Sequence, residues 1–510
     1  MPERLNACEW LLDRRLDAGD GARVAVVCGG KQLTYAELAG RVAAVARALA
    51  GLGVRPEERV PLALLDTPEF VAAFLGALRL GAVPVPMSTM LTGEELAFLC
   101  SDARARVAIG DGRLPGLGAM AAGAAELTDL VVVGDPQAAL PDRVALWPWD
   151  AWATDGDPVP AYPTWPDSPA FWLYTSGTTG RPKGAMHRHV DLGFTAQTYA
   201  QQVLGIDPAD RCYSVAKLFF AYGLGNSLTF PLSVGATAIL DPGRPTPQGV
   251  AAAVRAERPT LFFAVPGFYA ALLAAELPED TFASVRHAVS AGEPLPAGIY
   301  HRFRERFGVD ILDGIGTTEA LHIFISNRQG DIRPGCSGRL VPGYRARLVD
   351  DDGADVPPGR PGHLLVAGES VATGYWCRTE VTRRTFLGEW LRTGDVYVRS
   401  QDGVFTYQGR SDDMLKAGGI WVSPAEVEAT LVEHADVLEA AVVGRPDADG
   451  VSWPVAYVVR LPGREPSAAE LIDFCRQRLA AFKRPRDVVF VAELPKTATG
   501  KIQRYKLRGS

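Results

Sequence analysis

Apolar positions in the first third of the chain follow two periods in alternation. Thr34-Tyr35-Ala36-Glu37 reads as a capping box, in which Thr34 and Glu37 satisfy each other's free backbone donors. Behind it, Leu38, Val42, Val45 and Leu49 fall on one face of a helix. Residues 60–65 read as a short apolar strand, 68–80 as a helix and 82–86 as the next strand. Thr92-Gly93-Glu94-Glu95 is a second capping box, and Arg106-Val107-Ala108-Ile109 and Leu130-Val131-Val132-Val133 are further strands. Strands separated by helices imply a parallel sheet covered on both faces, so the expected fold class is α/β.

Residues 134–169 are rich in Pro, Asp and Trp and read as a surface excursion. The α/β rhythm resumes after Phe171 and changes again near residue 337. Strands at 345–349, 363–366 and 404–407, joined by turns such as Asp351-Asp352-Gly353, predict a small β-rich subdomain over 337–410. The last hundred residues alternate helix and strand as a small α+β domain. The expected division is a large N-terminal part, 1–410, and a mobile C-terminal domain, 411–510. Residues 218–240 carry no charge and are long enough to span a bilayer. Gly223, Gly225, Asn226, Ser227, Pro231, Ser233 and Gly235 interrupt them, so a short helix, a break at Pro231 and a buried strand are expected instead, without a membrane span.

Composition narrows the function. Hydrophobic residues make up 47% and charged residues 22%, which fits globular folding rather than disorder. Lys plus Arg number 52 against 59 Asp plus Glu, a net charge of −7 that argues against nucleic acid as a general partner. The seven cysteines are spread singly and form no CxxC pair, and the N-terminus lacks a signal-peptide pattern. A reduced, cytoplasmic protein is expected.

The most informative segment is Tyr174-Thr175-Ser176-Gly177-Thr178-Thr179-Gly180-Arg181-Pro182-Lys183-Gly184. Glycines let backbone N–H groups turn toward an anion, and Thr175, Ser176, Thr178, Thr179 and Lys183 add donors. A Gly/Ser/Thr run alone is equally a polar surface loop, but the apolar strand Phe171-Trp172-Leu173-Tyr174 before it and the Pro-Lys-Gly ending favour a phosphate cradle. Lys183 is followed by Gly, so this is not a Walker A loop.

The loop resembles the signature of the adenylate-forming superfamily: acyl- and aryl-coenzyme A ligases, peptide-synthetase adenylation domains and firefly-type luciferases. Four later segments match in the same order. Thr317-Thr318-Glu319 resembles the aromatic-Gly-x-Thr-Glu motif, with Ile315 departing from the aromatic residue usual there. Arg392-Thr393-Gly394-Asp395 resembles the ribose motif, Gly409-Arg410-Ser411-Asp412-Asp413 the hinge, and Pro495-Lys496-Thr497-Ala498-Thr499-Gly500-Lys501 the catalytic-lysine motif. The resemblance implies ATP, Mg²⁺ and coenzyme A. By it, Glu319 holds the metal, with Thr318 and Lys183 at the phosphates. Thr175, Ser176, Gly177, Thr178, Thr179 and Gly180 cradle the phosphates. Gly292, Glu293, Asp313, Gly314 and Ile315 line adenine, Asp395 and Arg410 hold ribose, Lys501 reaches the reacting carboxylate, and Asp412 is the hinge. The chemistry explains these types: like-charged groups must be held together, so cations and backbone donors are needed and no enzyme nucleophile is.

Residues 215–226 offer no carboxylate to pair an α-ammonium, which makes an amino acid substrate costly. This segment, with residues 313–327, resembles benzoate–coenzyme A ligases. That resemblance places Ala221, Tyr222, Gly316, His322 and Ile323 around an aryl ring; the lesser alternative is that Phe219, Phe220 and Tyr222 are plain core. It also places Gly418, Gly419 and Trp421 against the pantetheine arm, while Lys483 is a candidate contact for the coenzyme A nucleotide. The expected activity is an AMP-forming aryl–coenzyme A ligase for benzoate or a substituted benzoate. Two alternatives stay open: an aryl-acid adenylating enzyme that loads a carrier protein, and a silent ATP-binding scaffold. Oligomeric state is open, a homodimer included, and Lys501 is a candidate for a lysine acetyltransferase.

Overall fold

The computed structural model describes residues 3–135, 140–154, 156, 159–176, 182–411, 415–417, 420–446, 452–496 and 502–508. The chain forms two compact units. The first comprises Met1–Arg244, Thr317–His322 and Gly368–Phe386; the second comprises Pro245–Gly316, Ile323–Ala367 and Leu387–Ser510.

In the first unit, Val83–Pro86, Arg59–Ala63, Val107–Asp111, Asp129–Val133 and Ala145–Pro148 form a parallel sheet in that order. The helix Pro68–Arg79 follows the Arg59–Ala63 strand and is buried at every position from Phe70 to Leu78. A helix apolar on all sides needs cover all round, and Tyr35–Gly51 supplies part of it from its own buried face. Both expected capping boxes form: Glu37 N–H donates to Thr34 Oγ1 at 3.2 Å, and Glu95 N–H to Thr92 Oγ1 at 3.3 Å. A second group of strands runs Arg211–Ser214, Thr237–Leu240, Val24–Cys28 and Lys31–Thr34, with only the last antiparallel.

Two stretches depart from expectation. Within 134–169, Ala145–Pro148 is a strand and Trp149–Trp152 a short helix, because the edge of the Asp129–Val133 strand offers a free ladder to pair with. Pro231 does not break its helix. The chain is helical from Ala221 through a π-helical turn, Gly225–Thr229, to Val234, and stops at Gly235 with φ +84°. The wider turn ahead of Pro231 shifts the backbone acceptors by one residue, so the ring and missing N–H are accommodated. Among the described residues, no helix is long and apolar enough to cross a membrane.

In the second unit, Leu261–Ala264, His287–Ser290 and Ile311–Gly316 are parallel neighbours, followed by antiparallel Ile323–Ser326 and Arg339–Leu340. The expected β-rich subdomain is an antiparallel run of Arg345–Val349, Pro361–Ala367, Trp390–Arg399 and Phe405–Arg410. The chain's last part pairs Val437–Pro446, Ser452–Arg460 and Asp487–Phe490, with helices Pro424–Val432, Ala468–Arg476 and Arg504–Arg508. Its own core includes Ala441, Val443, Tyr457, Leu494 and Leu507.

Gly338 joins two of these sheets through its carbonyl, which accepts Phe405 N–H at 2.8 Å. Its φ is +96°, and a Cβ there would overlap the Ser326 backbone. Gly338→Ala is expected to destabilise the protein by roughly 2–4 kcal/mol, from left-handed strain plus backbone displacement. Denaturant unfolding measures this; an unchanged midpoint would contradict the packing described.

Candidate active site

The hairpin Pro169–Ser176 and Pro182–Arg188 pairs Thr175 with Lys183 and Tyr174 with Gly184, so both ends of the glycine-rich segment are fixed by ladder bonds. Residues 373–376 run beside its second strand: Met186 N–H donates to Gly374 O, and Trp376 N–H to Gly184 O. This addition brings Tyr375 beneath Lys183, whose Nζ lies 4.4 Å from the ring centroid. Tyr375 donates its hydroxyl to Glu319 Oε1 at 2.6 Å, Thr317 Oγ1 donates to the other carboxylate oxygen, and Ala372 N–H donates to Glu319 O. Burial pushes the Lys183 ammonium below its usual value, with Glu319 pulling the other way. A lysine, a carboxylate and two hydroxyls thus converge in the first unit.

The second cluster in this unit surrounds His322, which is 3% exposed. Tyr222, Tyr199 and Phe230 approach its ring at 5.5, 5.3 and 4.5 Å. Gly225 belongs here for a steric reason: a side chain there would overlap the imidazole. Hydrogen-bond logic fixes the tautomer. Ser214 Oγ donates to Ala216 O at 3.0 Å and accepts from Asn226 Nδ2 at 3.4 Å. Asn226 therefore turns Oδ1 toward His322 Nε2, 3.2 Å away, and that nitrogen must donate. Burial pushes the His322 value down to about 3, so the ring is neutral near pH 7. Ala221 is buried on the same helix. Residues 215–226 have a neighbouring carboxylate that their own sequence lacks: buried Asp66 accepts Leu218 N–H at 3.1 Å. Burial raises that acid to about 7.

The second unit holds the remaining described positions. Ser290 and Asp313 are register partners on adjacent strands, and Gly292 turns the chain with φ +95°. Asp313 is 5% exposed, and its Oδ1 has no hydrogen-bond partner among the described residues. Burial raises its carboxyl to about 8. Gly314 and Ile315 continue the same strand, and Gly316 pairs with Ile323. Glu293 accepts Ile502 N–H at 2.9 Å, and burial raises its value. Asp395 and Arg410 are cross-strand partners, with Arg410 Nη1 donating to Asp395 Oδ1 at 3.0 Å. Lys483 is paired with Glu426 at 2.6 Å. Trp421 lies in the strand Ile420–Val422, while Ser176, in the first unit, ends Pro169–Ser176. Gly177, Thr178, Thr179, Gly180, Asp412, Gly418, Gly419 and Lys501 lie outside the described residues.

Asp313 makes a pH prediction. Its folded value lies above the unfolded one, so the folded state holds a proton that the unfolded state has lost. Its stabilising contribution is fully present below pH ~4 and lost as pH rises toward about 8. Asp313→Asn should therefore gain melting temperature relative to the parent as pH rises from 5 to 9. A constant difference across that range would contradict the buried acid.

The AMP-binding enzyme family matches residues 13–376, more than half of the chain, and the AMP-binding enzyme C-terminal domain matches 426–501. The benzoate–CoA ligase of Thauera aromatica is 47% identical, covering 100% of this chain and 97% of the relative. The 4-hydroxybenzoate–CoA/benzoate–CoA ligase of Rhodopseudomonas palustris is 44% identical, covering 100% and 95%. Among solved structures, anthranilate CoA ligase AuaEII with anthranoyl-AMP aligns at a TM-score of 0.94 and 42% identity, covering 100% of this chain and 98% of that one. A benzoate CoA ligase from Burkholderia xenovorans LB400 aligns at 0.91 and 46%, covering 99% of each. With its glycine-rich hairpin segment, its Thr-Thr-Glu turn and similarity to these proteins along the whole sequence, the chain belongs to the AMP-binding enzyme family.

Proposed function

We propose that the chain is an ATP-dependent aryl–coenzyme A ligase that activates benzoate or a substituted benzoate. The observation that carries this reading is the His322 cluster: a neutral imidazole among aromatic rings, in a segment whose nearby carboxylate, Asp66, is already bonded to the Leu218 backbone. Such a lining suits a flat, uncharged ring and leaves an α-ammonium without a counter-charge. Relatives named as benzoate and hydroxybenzoate ligases support the same substrate class.

In the first half-reaction, a carboxylate oxygen of the acid attacks the α-phosphorus of ATP. A P–O bond forms, the bond to pyrophosphate breaks, and aryl-AMP and pyrophosphate result. Lys183 and the hairpin donors neutralise phosphate charge. The Glu319 carboxylate and neighbouring hydroxyl oxygens are hard donors of the kind Mg²⁺ takes, so they would hold that ion, which would supply positive charge beside the phosphates. Asp313 and Gly292 serve the adenine edge, where an unpartnered buried oxygen suits an amino donor; Asp395 and Arg410 serve the ribose. Lys501 places its charge where carboxylate meets α-phosphate. In the second half-reaction, the coenzyme A thiol loses its proton and attacks the acyl carbon. A C–S bond forms and AMP leaves.

Residues 411–510 turn about Asp412 between the two steps, which removes Lys501 and admits coenzyme A past Gly418, Gly419 and Trp421. The same lysine, if acetylated, loses the charge that the first step needs.

Benzoate and its hydroxy and amino derivatives should support pyrophosphate exchange, and free coenzyme A should accept the acyl group. Tyr222→Ala should raise KM for benzoate roughly tenfold or more with little change for ATP, and His322→Ala should reorder the substituted benzoates. An unchanged KM and ranking in stable variants would move the pocket elsewhere. Lys501→Ala should lose about 10²–10³-fold in adenylation yet still convert supplied aryl-adenylate to thioester. Asp412→Pro should do the reverse, retaining pyrophosphate exchange and failing in single-turnover thiolation. Equal decline of both steps in either variant would remove that role.

A further inference from the structure

Glu319 and His322 stand on either side of a backbone turn that the chain does not favour. Leu321 has φ +67° and ψ −45°, and His322 N–H donates back to Ala320 O at 2.8 Å. This is a γ-turn with positive φ, a strained form for a branched side chain. Such a turn persists only where its surroundings hold it. Three contacts do so. Ala372 N–H donates to Glu319 O and Ser370 Oγ donates to Ala320 O, both at 2.8 Å. The third comes from the hairpin: His187 Nε2 lies 2.8 Å from Thr318 O, across 131 residues of sequence.

His187 is fully buried and stacked on Phe171 at 5.0 Å. A carbonyl oxygen can only accept, so Nε2 donates to it. Nδ1 lies 2.9 Å from Asp191 Oδ2, and Asp191 also accepts from the Arg188 backbone N–H and Nε. Asp191 thereby fixes the ring, and the ring fixes the turn. We infer that His187 is a positioning residue for adenylation, pinning the strained turn so that Glu319 meets the phosphates and metal. The inference rests on the ligase reading above, in which Glu319 serves the first half-reaction.

Two amides separate the two ring nitrogens. His187→Gln places a donor near the Nε2 position and keeps the bond to Thr318. His187→Asn places one near Nδ1, keeps a partner for Asp191 and loses the Thr318 bond. The Asn variant should lose about tenfold or more in kcat for benzoate-dependent pyrophosphate exchange, as supporting contacts of metal-binding groups commonly do. It should also show a smaller rise in melting temperature on adding MgATP. The Gln variant should stay within about threefold on the same basis. Thiolation from supplied benzoyl-adenylate should fall less than exchange in the Asn variant. Should the Asn variant lose its cooperative melting transition, Ser370→Ala, which releases the same turn from the other side, should show the exchange loss in its place. Equal behaviour of Asn and Gln, the reverse order, or parallel loss of both half-reactions overturns the inference. Absence of exchange in the parent protein would instead overturn the ligase reading.

Discussion

The hydrogen bond from Tyr375 to Glu319 spans 56 residues and ties together two of the three stretches of the first unit. Tyr375 reaches that position because residues 373–376 pair along the Pro182–Arg188 strand. The same ring sits under Lys183, so the cation and the carboxylate are spaced by one aromatic side chain rather than by direct contact. A direct Lys–Glu pair would satisfy both charges and leave little for a phosphate or a cation to gain. Holding them apart on a rigid spacer keeps both available, which is what preorganised electrostatics requires.

The first unit thus contains two environments with opposite demands. Around Glu319 the groups are charged and half-buried. Around His322 they are aromatic, and burial keeps the imidazole neutral. The Ser214–Asn226–His322 relay pairs the Asn226 amide and His322 Nε2 in the second environment without adding charge. Asp66 follows the same economy: its oxygens meet a backbone N–H, and burial favours its protonated form. The γ-turn at Leu321 lies between the two environments and keeps them within a few residues of each other.

Legibility in the sequence followed the range of the interaction. The capping boxes at Thr34 and Thr92, the strand–helix alternation and the antiparallel run after residue 337 rest on local patterns, and all appear as expected. The helix through Pro231 does not, because a π turn upstream changes what a proline interrupts. Lys183, Glu319 and His322 were legible through motif resemblance. Tyr375, His187, Asn226 and Asp66 were not. Each acts through a partner set by tertiary pairing, and no spacing along the chain connects residue 187 with 318 or 375 with 319. The orphaned oxygen of Asp313 belongs to the same class, since only the folded strands show that it lacks a partner.

The first unit is built from three separate stretches of chain, and the last ends at Phe386. Synthesis runs from the N-terminus, so the hairpin and the largely buried helix Pro68–Arg79 leave the ribosome long before Tyr375 exists. At about 5–20 residues per second, residues 245–386 take roughly ten seconds more. Until residues 373–376 are made the outer strand of the hairpin lacks its neighbour, and until Leu321 is made the apolar faces it packs on remain uncovered. The nascent chain therefore exposes an unpaired strand edge for seconds during every round of translation.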